Sequence, residues 1–166
     1  LFQSVSSGAS TANSYGTYAV DTAGVWVYTL DNANASVNGL NVGDTLTDTF
    51  TVASDDNTTQ TVTVTITGTN DAAVVSSDSQ TLDETDAALT ASGTLTSTDV
   101  DNADNTFTAA TIVGTNGTLT LAADGSWDYL ANSAFDSLNT SDSVSDTFNV
   151  TSVDGTPSTV QVTING

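Results

Sequence analysis

Apolar and polar residues alternate along most of this chain, and Gly, Asn and Asp separate the alternating runs. The clearest run is TVTVTI at residues 61–66, where the aliphatic side chains face one way and the threonines face the other. Such alternation is typical of half-buried antiparallel strands, and the periodicity expected for helices is almost absent. The pattern therefore predicts an all-β protein.

One unit occurs twice in the chain. DTFTVASDDNTTQTV at residues 48–62 matches DTFNVTSVDGTPSTV at 146–160, and YGTYAVDTAGVWVY at 15–28 matches NGTLTLAADGSWDY at 116–129. Matching segments that recur in the same order indicate two copies of one structural unit.

The second copy contains seven short runs with strand character, separated by turn residues. The predicted strands cover residues 79–82, 93–98, 107–112, 118–121, 127–130, 144–151 and 159–164. Seven short strands at this spacing indicate an immunoglobulin-like β-sandwich. We therefore expect two tandem sandwich domains, a truncated one at residues 1–71 and a complete one at residues 72–166.

The first copy lacks the first two strands of the unit, because LF at residues 1–2 aligns with TF at residues 106–107. We expect an open sheet edge there and an uncovered apolar face lined by Val20, Trp26 and Tyr28. Two explanations stay open. The missing strands lie upstream in a longer parent chain, from which this chain was processed or cut, or a neighbouring chain inserts a strand and makes a filament.

The composition excludes several kinds of chemistry. The 166 residues carry a formal charge of -20 and include no Lys, Arg, His, Cys or Met. Without Cys and His, the chain has no disulfide, thiol nucleophile, imidazole base or ordinary zinc site. Without Lys and Arg, it cannot neutralise phosphate, so nucleic acid is excluded as a partner. No segment resembles a signal peptide or a membrane span, so we expect no membrane insertion.

Acidic and amide side chains are predicted to converge where the two copies meet. Strand directions place three connections of copy two at the pole that faces the linker: the loop after the second strand, the turn between the fourth and fifth strands, and the turn before the last strand. Two carboxylates in contact repel by about 4 kcal/mol at an effective dielectric constant of about 20, and no basic side chain can pair with them. Only oxygen ligands are present, which suits Ca²⁺. The predicted metal ligands are Asn70, Asp71, Asp99, Asp101, Asp104, Asp154 and Asp44, the last placed near Gly68 by hairpin register.

Other acidic residues have a plainer interpretation. Acidic turns keep a β-rich surface soluble and block edge-to-edge aggregation, and we expect this role for most single Asp residues. Asp48 and Asp146 differ from these surface residues, because each lies two positions before a core-facing phenylalanine, Phe50 or Phe148, and so points to the same face of its strand. For these two, hydrogen bonds at the rim of the core are expected rather than metal binding.

The motifs G-x-W-x-Y, D-T-F-x-V and V-T-I-x-G-T-N-D resemble those of the VCBS repeat, which forms long arrays in giant bacterial surface adhesins and exoproteins. The Asn-Asp linker and the Asp-x-Asp of the following loop are also similar to cadherin-like modules, which share calcium ions between domains. The resemblance implies that Asn70, Asp71, Asp99 and Asp101 bind one or two calcium ions. It also implies a location outside the cell or at the bacterial surface.

The leading hypothesis is a non-enzymatic structural repeat of an adhesin, matrix protein or filament, stiffened by calcium at the junction. Its partners would be neighbouring repeats of the same chain or identical subunits. A carbohydrate-binding module for surface glycans is an alternative, with the pairs Trp26/Tyr28 and Trp127/Tyr129 stacking on sugars. Because each pair shares one face of an alternating strand, core packing is favoured for these rings. A glycosidase using two carboxylates is a third hypothesis, but no pocket is predicted for it.

Overall fold

The computed structural model describes residues 1–102 and 105–166. The chain divides into two compact units, unit 1 at Leu1–Asp71 and unit 2 at Ala72–Gly166. Strands make up almost all the regular structure of both, so the prediction of an all-β protein is confirmed.

Unit 1 contains two antiparallel sheets. Its elements are β1 (Val5–Ser10), β2 (Gly16–Val20), β3 (Trp26–Leu30), α1 (Ala35–Asn38), β4 (Thr45–Ala53) and β5 (Thr59–Thr67). One sheet has the order β1-β2-β3 and the other consists of β4 and β5. The single helical turn was not predicted from the sequence. It begins where the Asn34 side chain accepts a hydrogen bond from the Ser36 N–H at 2.9 Å, and one turn is too short to produce a periodic pattern.

Unit 2 has the same arrangement with additional strands. Its elements are β6 (Val74–Val75), β7 (Asp78–Asp83), β8 (Thr90–Thr94), β9 (Ser97–Thr98), β10 (Ala110–Val113), β11 (Gly117–Leu121), β12 (Ser126–Ala131), β13 (Ser143–Thr151) and β14 (Pro157–Asn165). The sheets have the orders β10-β11-β12-β8, β13-β14-β7 and β6-β9. Among the described residues of unit 2, all strand pairs are antiparallel except that of β7, which runs parallel to β14.

Two predicted strands of unit 2 have different bounds in the structure. The strand predicted at 93–98 is interrupted after β8, because Leu95 turns into the core and its N–H donates to the Gly125 carbonyl at 2.9 Å. The strand predicted at 107–112 begins only at Ala110. Phe107 precedes it and forms a single bridge with Ser152.

The aromatic rings of β12 form the centre of the unit 2 core. Trp127 is 1% exposed and Tyr129 is 2% exposed, and both pack with Phe107, Phe148 and the aliphatic residues of β14. Core packing of these two rings is therefore confirmed. Their burial excludes stacking of a sugar on either ring.

The two units begin their shared part in the same way. Phe2 forms an isolated bridge with Ser54, and Phe107 forms the equivalent bridge with Ser152. The alignment of the two copies at their first shared residues is therefore confirmed.

Unit 1 has a smaller core, made of Val20, Phe50 and Val52 with partly buried neighbours. Trp26 is 45% exposed, in contrast to Trp127, and it contacts the Phe50 ring edge-on at a centroid distance of 5.5 Å. The expectation that Val20 lines an uncovered face was wrong. Val20 is buried, because the end of β2 packs against Phe50.

A buried carboxylate lies at the rim of each core. Asp48 is fully buried and accepts hydrogen bonds from the Thr11 hydroxyl, from the Asn13 N–H at 3.0 Å and from the Tyr28 hydroxyl at 2.9 Å. Burial alone would raise the pKa of Asp48, but these hydrogen bonds and one from the Thr49 N–H together lower it. The expected hydrogen-bonding role of Asp48 is confirmed.

Asp146 occupies the same position in unit 2. Its carboxylate accepts from the Thr115 N–H at 3.0 Å and the Asn116 N–H at 2.9 Å, which confirms the same role. The Tyr129 hydroxyl is buried and forms no hydrogen bond of normal geometry. Burial and the charge of Asp146 raise the pKa of Tyr129 to about 12. Burial and Asp48 likewise raise the pKa of Tyr28 to about 12.

We expect Asp48→Asn to destabilise unit 1 at pH 7 by about 1–3 kcal/mol, because the amide replaces one acceptor oxygen by a donor among groups that donate. The low pKa of Asp48 in the folded state contributes stability that is present above its unfolded pKa of about 3.9 and is lost as the pH falls through the folded value. The variant should therefore lose less stability than the wild type on acidification below about pH 4. Urea unfolding followed by resolved NMR amide signals of β4 measures both effects. Asp55→Asn, at an exposed position, is the matched control, and equal acid sensitivity of wild type and Asp48→Asn would contradict this account.

Gly125 is needed where the β11–β12 turn meets Leu95. Its φ is +85°, and a Cβ there would lie 2.2 Å from the Leu95 carbonyl oxygen. Gly155 has a φ of +91° with nothing within 4 Å of its Cβ position, so it tests backbone strain alone. We expect Gly155→Ala to cost about 1–2 kcal/mol and Gly125→Ala to cost about 2 kcal/mol more. Urea unfolding followed by Trp127 fluorescence in a Trp26→Phe background measures the difference, and equal losses would show that the close approach to Leu95 is unimportant.

Candidate functional site

Three loops of unit 2 meet at one end of the sandwich. The segment that leaves β8 is joined to the β11–β12 turn by the hydrogen bond from Leu95 to Gly125. The β13–β14 turn is joined to the segment before Phe107 by a hydrogen bond from the Val153 N–H to the Thr106 carbonyl at 2.9 Å. The predicted convergence of these loops within unit 2 is therefore confirmed, and the end they form is called the acidic end below.

Asp99 and Asp101 lie side by side at the acidic end. The Asp101 N–H donates to the Asp99 carboxylate at 3.2 Å, and the Asp99 N–H donates to the Asn105 side-chain oxygen at 2.6 Å. Loss of solvent around the Asp99 carboxyl and the neighbouring Asp101 carboxyl raise the pKa of Asp99. The arrangement concentrates negative charge in one loop. Asp104, predicted as a further ligand, lies outside the described residues.

Asp154 connects the start of unit 2 to the β13–β14 turn. Its carboxylate accepts from the Ser152 hydroxyl, from the Thr156 N–H at 3.1 Å and hydroxyl at 2.8 Å, and from the Ala73 N–H at 2.9 Å. These donors, with Ser152 contributing most, hold the pKa of Asp154 well below its usual range. Asp154 therefore has a structural role that sequence reasoning missed. The Ser-x-Asp-x-Thr pattern at residues 152–156 was the available signal.

The predicted ligands of unit 1 lie near the end of β5. The Gly68 N–H donates to the Asp44 carbonyl at 3.0 Å, so the predicted placement of Asp44 near Gly68 is confirmed. The Asp44 carboxylate accepts from the Asn41 N–H at 3.2 Å. Asn70 donates through its side chain to the Asp71 carbonyl at 2.7 Å.

Asp71 also lines a cavity of unit 1 with a volume of about 360 Å³. The wall combines the apolar residues Val37 of α1 and Ile66 of β5 with Asn32 and Asn38. The cavity is therefore lined by one Asp and two Asn residues together with aliphatic residues.

The predicted ligands thus fall into two groups. Asp44, Asn70 and Asp71 belong to unit 1, and Asp99, Asp101 and Asp154 belong to unit 2. In residues 1–102 and 105–166, no group of three or more Asp or Glu residues is arranged to hold a metal ion. Calcium binding stays a prediction.

The helices of the structure were compared with the requirements for crossing a membrane. No helix in the described part of the chain combines the length and the apolar character needed to cross a bilayer.

Comparison with known proteins identifies the second part of the chain. A search of curated proteins finds no significant match. A family model described as the bacterial cadherin-like domain matches residues 70–166. Domains of this kind are typically structural modules without enzymatic activity, found outside the cell or at its surface. This match covers more than half of the sequence, and the chain belongs to the bacterial cadherin-like domain family.

Proposed function

We propose that this chain is part of an array of VCBS-type repeats and acts as a spacer in a bacterial adhesin, matrix protein or filament. In this proposal, unit 1 and unit 2 are tandem immunoglobulin-like sandwich domains, of which the first lacks its N-terminal strands. The family of residues 70–166 and the equivalent bridges of Phe2 and Phe107 support it. Repeats of this kind contact mainly their neighbours, so the length of the array grows with each repeat.

We further propose that calcium stiffens the junction between the units. The observation that carries this proposal is the Asp99–Asp101 pair, which lies at the same end of unit 2 as the hydrogen bond between Asp154 and Ala73. Asp71 precedes Ala73 by two positions in the chain. Two residues of extended chain span at most about 7 Å. Asp71 therefore lies within about this distance of Ala73, whose N–H donates to the Asp154 carboxylate.

We propose that a counter-ion balances the charge of this region. The pKa of Asp99 is raised, which means that its ionised form is destabilised where it lies. The sequence has no Lys, Arg or His side chain to supply a compensating charge. Ca²⁺ prefers carboxylate, carbonyl and amide oxygens in flexible coordination, and all three are supplied by Asn70, Asp71, Asp99 and Asp101.

Calcium should stabilise the chain measurably. Extracellular modules bind it with a dissociation constant of about 10⁻⁴–10⁻³ M, and one site at 10 to 100 times that concentration contributes about 1.4–2.7 kcal/mol. We expect the melting temperature in calorimetry to fall when EDTA replaces millimolar calcium. Asp99→Asn should abolish most of this difference.

Asp136→Asn is the matched control, because it removes the same charge at an exposed position in the segment between β12 and β13. It should leave the calcium effect intact. A melting temperature of the wild type that is the same in calcium and in EDTA would contradict calcium binding. An equal loss of the effect in both variants would show that calcium acts only by general charge screening.

A further inference from the structure

Several glycines of this chain directly follow an Asn or Asp residue. In such a pair, the glycine nitrogen can attack the side-chain carbonyl carbon of the preceding residue and close a five-membered succinimide ring. Glycine permits this closure best, because it has no Cβ beside the attacking nitrogen and its backbone adopts a wide range of angles. The pairs are Asn38–Gly39, Asn116–Gly117, Asn165–Gly166, Asp124–Gly125 and Asp154–Gly155.

The two Asp-Gly pairs lie in turns whose carboxylates are already hydrogen-bonded. The Asp124 carboxylate accepts from the Ser126 N–H at 3.0 Å and from the Ser126 hydroxyl at 2.6 Å. The Asp154 carboxylate accepts from the Ala73 N–H at 2.9 Å and from the Thr156 hydroxyl at 2.8 Å. These bonds lower the pKa of both carboxyl groups, so both stay ionised at neutral pH. An ionised carboxylate is a poor target for a nucleophile, and neither pair is therefore expected to react.

The Asn116–Gly117 pair is fixed by the sheet and by the core. The Asn116 side-chain NH₂ group donates to the Ser145 carbonyl and to the Asp146 carboxylate, both at 3.2 Å. Gly117 is buried at the start of β11, where it lies opposite Ala131 of β12. Ring closure at this pair would require the side chain to leave its partners and the strand to open.

The Asn165–Gly166 pair is held at both of its reacting groups. The Asn165 side chain donates to the Asp83 carboxylate at 3.2 Å. The Gly166 N–H, which would have to attack, donates to the Asp142 carbonyl at 3.0 Å. Asn165 also belongs to β14, which is paired with a strand on each side. Closure of the ring is therefore opposed here as well.

The Asn38–Gly39 pair differs from the other four. Asn38 is exposed at the end of α1, and its side chain forms no hydrogen bond among the described residues. The Gly39 N–H donates to the Ala35 carbonyl at 3.0 Å and closes the single turn of this helix. A helix of one turn is not stable by itself, and its terminal hydrogen bonds open readily. Local opening of α1 thus frees the Gly39 nitrogen without disturbing either sheet of unit 1.

The exposure of Asn38 does not depend on the strands that unit 2 has and unit 1 lacks. The segments NGLNVGD at residues 38–44 and DSLNTSD at residues 136–142 align, so Asp136 is the equivalent of Asn38. Asp136 is exposed in unit 2, where β7 and β8 are present. Unit 2 therefore carries a carboxylate at the position where unit 1 carries the amide, which shows that the fold accepts this charge.

We propose that Asn38 is a site of spontaneous deamidation. The Gly39 nitrogen loses its proton to hydroxide and attacks the Asn38 Cγ atom, the bond from Cγ to the side-chain nitrogen breaks, and ammonia leaves with a proton from water. Water then opens the succinimide at either carbonyl and gives aspartate or β-linked isoaspartate. The net reaction consumes water and releases ammonia, and it needs no enzyme or cofactor.

The modification changes the wall of the cavity in unit 1. Asn38 and Asp71 both line this cavity, so each product adds a second carboxyl residue to its wall. The aspartate product also gives unit 1 the residue that unit 2 has at the equivalent position, Asp136. The isoaspartate product in addition lengthens the backbone by one atom at the end of α1.

The test compares the folded chain with the chain unfolded in urea. Both are incubated in mildly alkaline buffer, and peptides are released with chymotrypsin for mass spectrometry, because trypsin cannot cut a chain without Lys or Arg. In the folded chain, we expect Asn38 to deamidate at least about tenfold faster than Asn116 and Asn165. In urea, the three sites should react at similar rates, since each precedes glycine and the fold no longer protects two of them.

Gly39→Ala is the matched variant. Gly39 is exposed and has a φ of -89°, which residues other than glycine also adopt, so the fold should be retained. The added Cβ should slow the deamidation of Asn38 at least about tenfold, because it hinders attack by the neighbouring nitrogen. The rates at Asn116 and Asn165 should stay unchanged.

Two results would overturn the proposal. One is a rate at Asn38 in the folded chain that is equal to or lower than the rate at Asn116 or Asn165. The other is a rate at Asn38 that Gly39→Ala leaves unchanged, because the reaction would then not pass through the Gly39 nitrogen.

Discussion

Every carboxylate in this protein has to be stabilised without a basic side chain. The 20 acidic residues have no Lys, Arg or His side chain to pair with. The N-terminal ammonium of Leu1 pairs with Asp55 at 3.7 Å, and the carboxylates described below are held by hydroxyl and N–H groups instead. Asp48 shows the first solution, since two hydroxyls and backbone N–H groups surround it inside the core. Asp154 shows the same solution in a turn, where it also accepts a hydrogen bond from the Ala73 N–H. Asp99 and Asp101 lie side by side, and the neighbouring Asp101 carboxyl helps to raise the pKa of Asp99. The proposed calcium site is placed at this pair.

The second constraint is whether a neighbouring strand covers the tryptophan of a unit. Burial of a large aromatic side chain is a major contribution to a core of this size. In unit 2 that cover is a strand with glycine opposite the indole, and the core extends from Trp127 to Phe107, Phe148 and β14. In unit 1 the indole is half exposed and the core is reduced to a few residues around Phe50. One sequence pattern thus gives two different degrees of burial, because strand pairing and not composition decides which apolar residues are covered.

Much of the fold could be predicted from the sequence because its signals are local. The alternation of apolar and polar residues predicted β7, β12, β13 and β14 to within about two residues. Asp48 alternates in phase with the core-facing Phe50, and this predicted that Asp48 lies at the rim of the core. The break between β8 and β9 could not be predicted, since it depends on the contact of Leu95 with the β11–β12 turn. The hydrogen bond from Ala73 to Asp154 was missed for the same reason. It joins residues far apart in the sequence, and spacing alone does not reveal such a contact.

The proposed spacer depends on a junction that is stiff when calcium is bound. Small-angle X-ray scattering of the full chain, in millimolar calcium and in EDTA, tests this most directly. With calcium, the account predicts a narrow distribution of interatomic distances and a Kratky profile of one rigid body. In EDTA, it predicts a broader distribution, as expected for two units that move independently, while the circular dichroism of both units is retained. Identical scattering profiles in the two buffers would contradict the account.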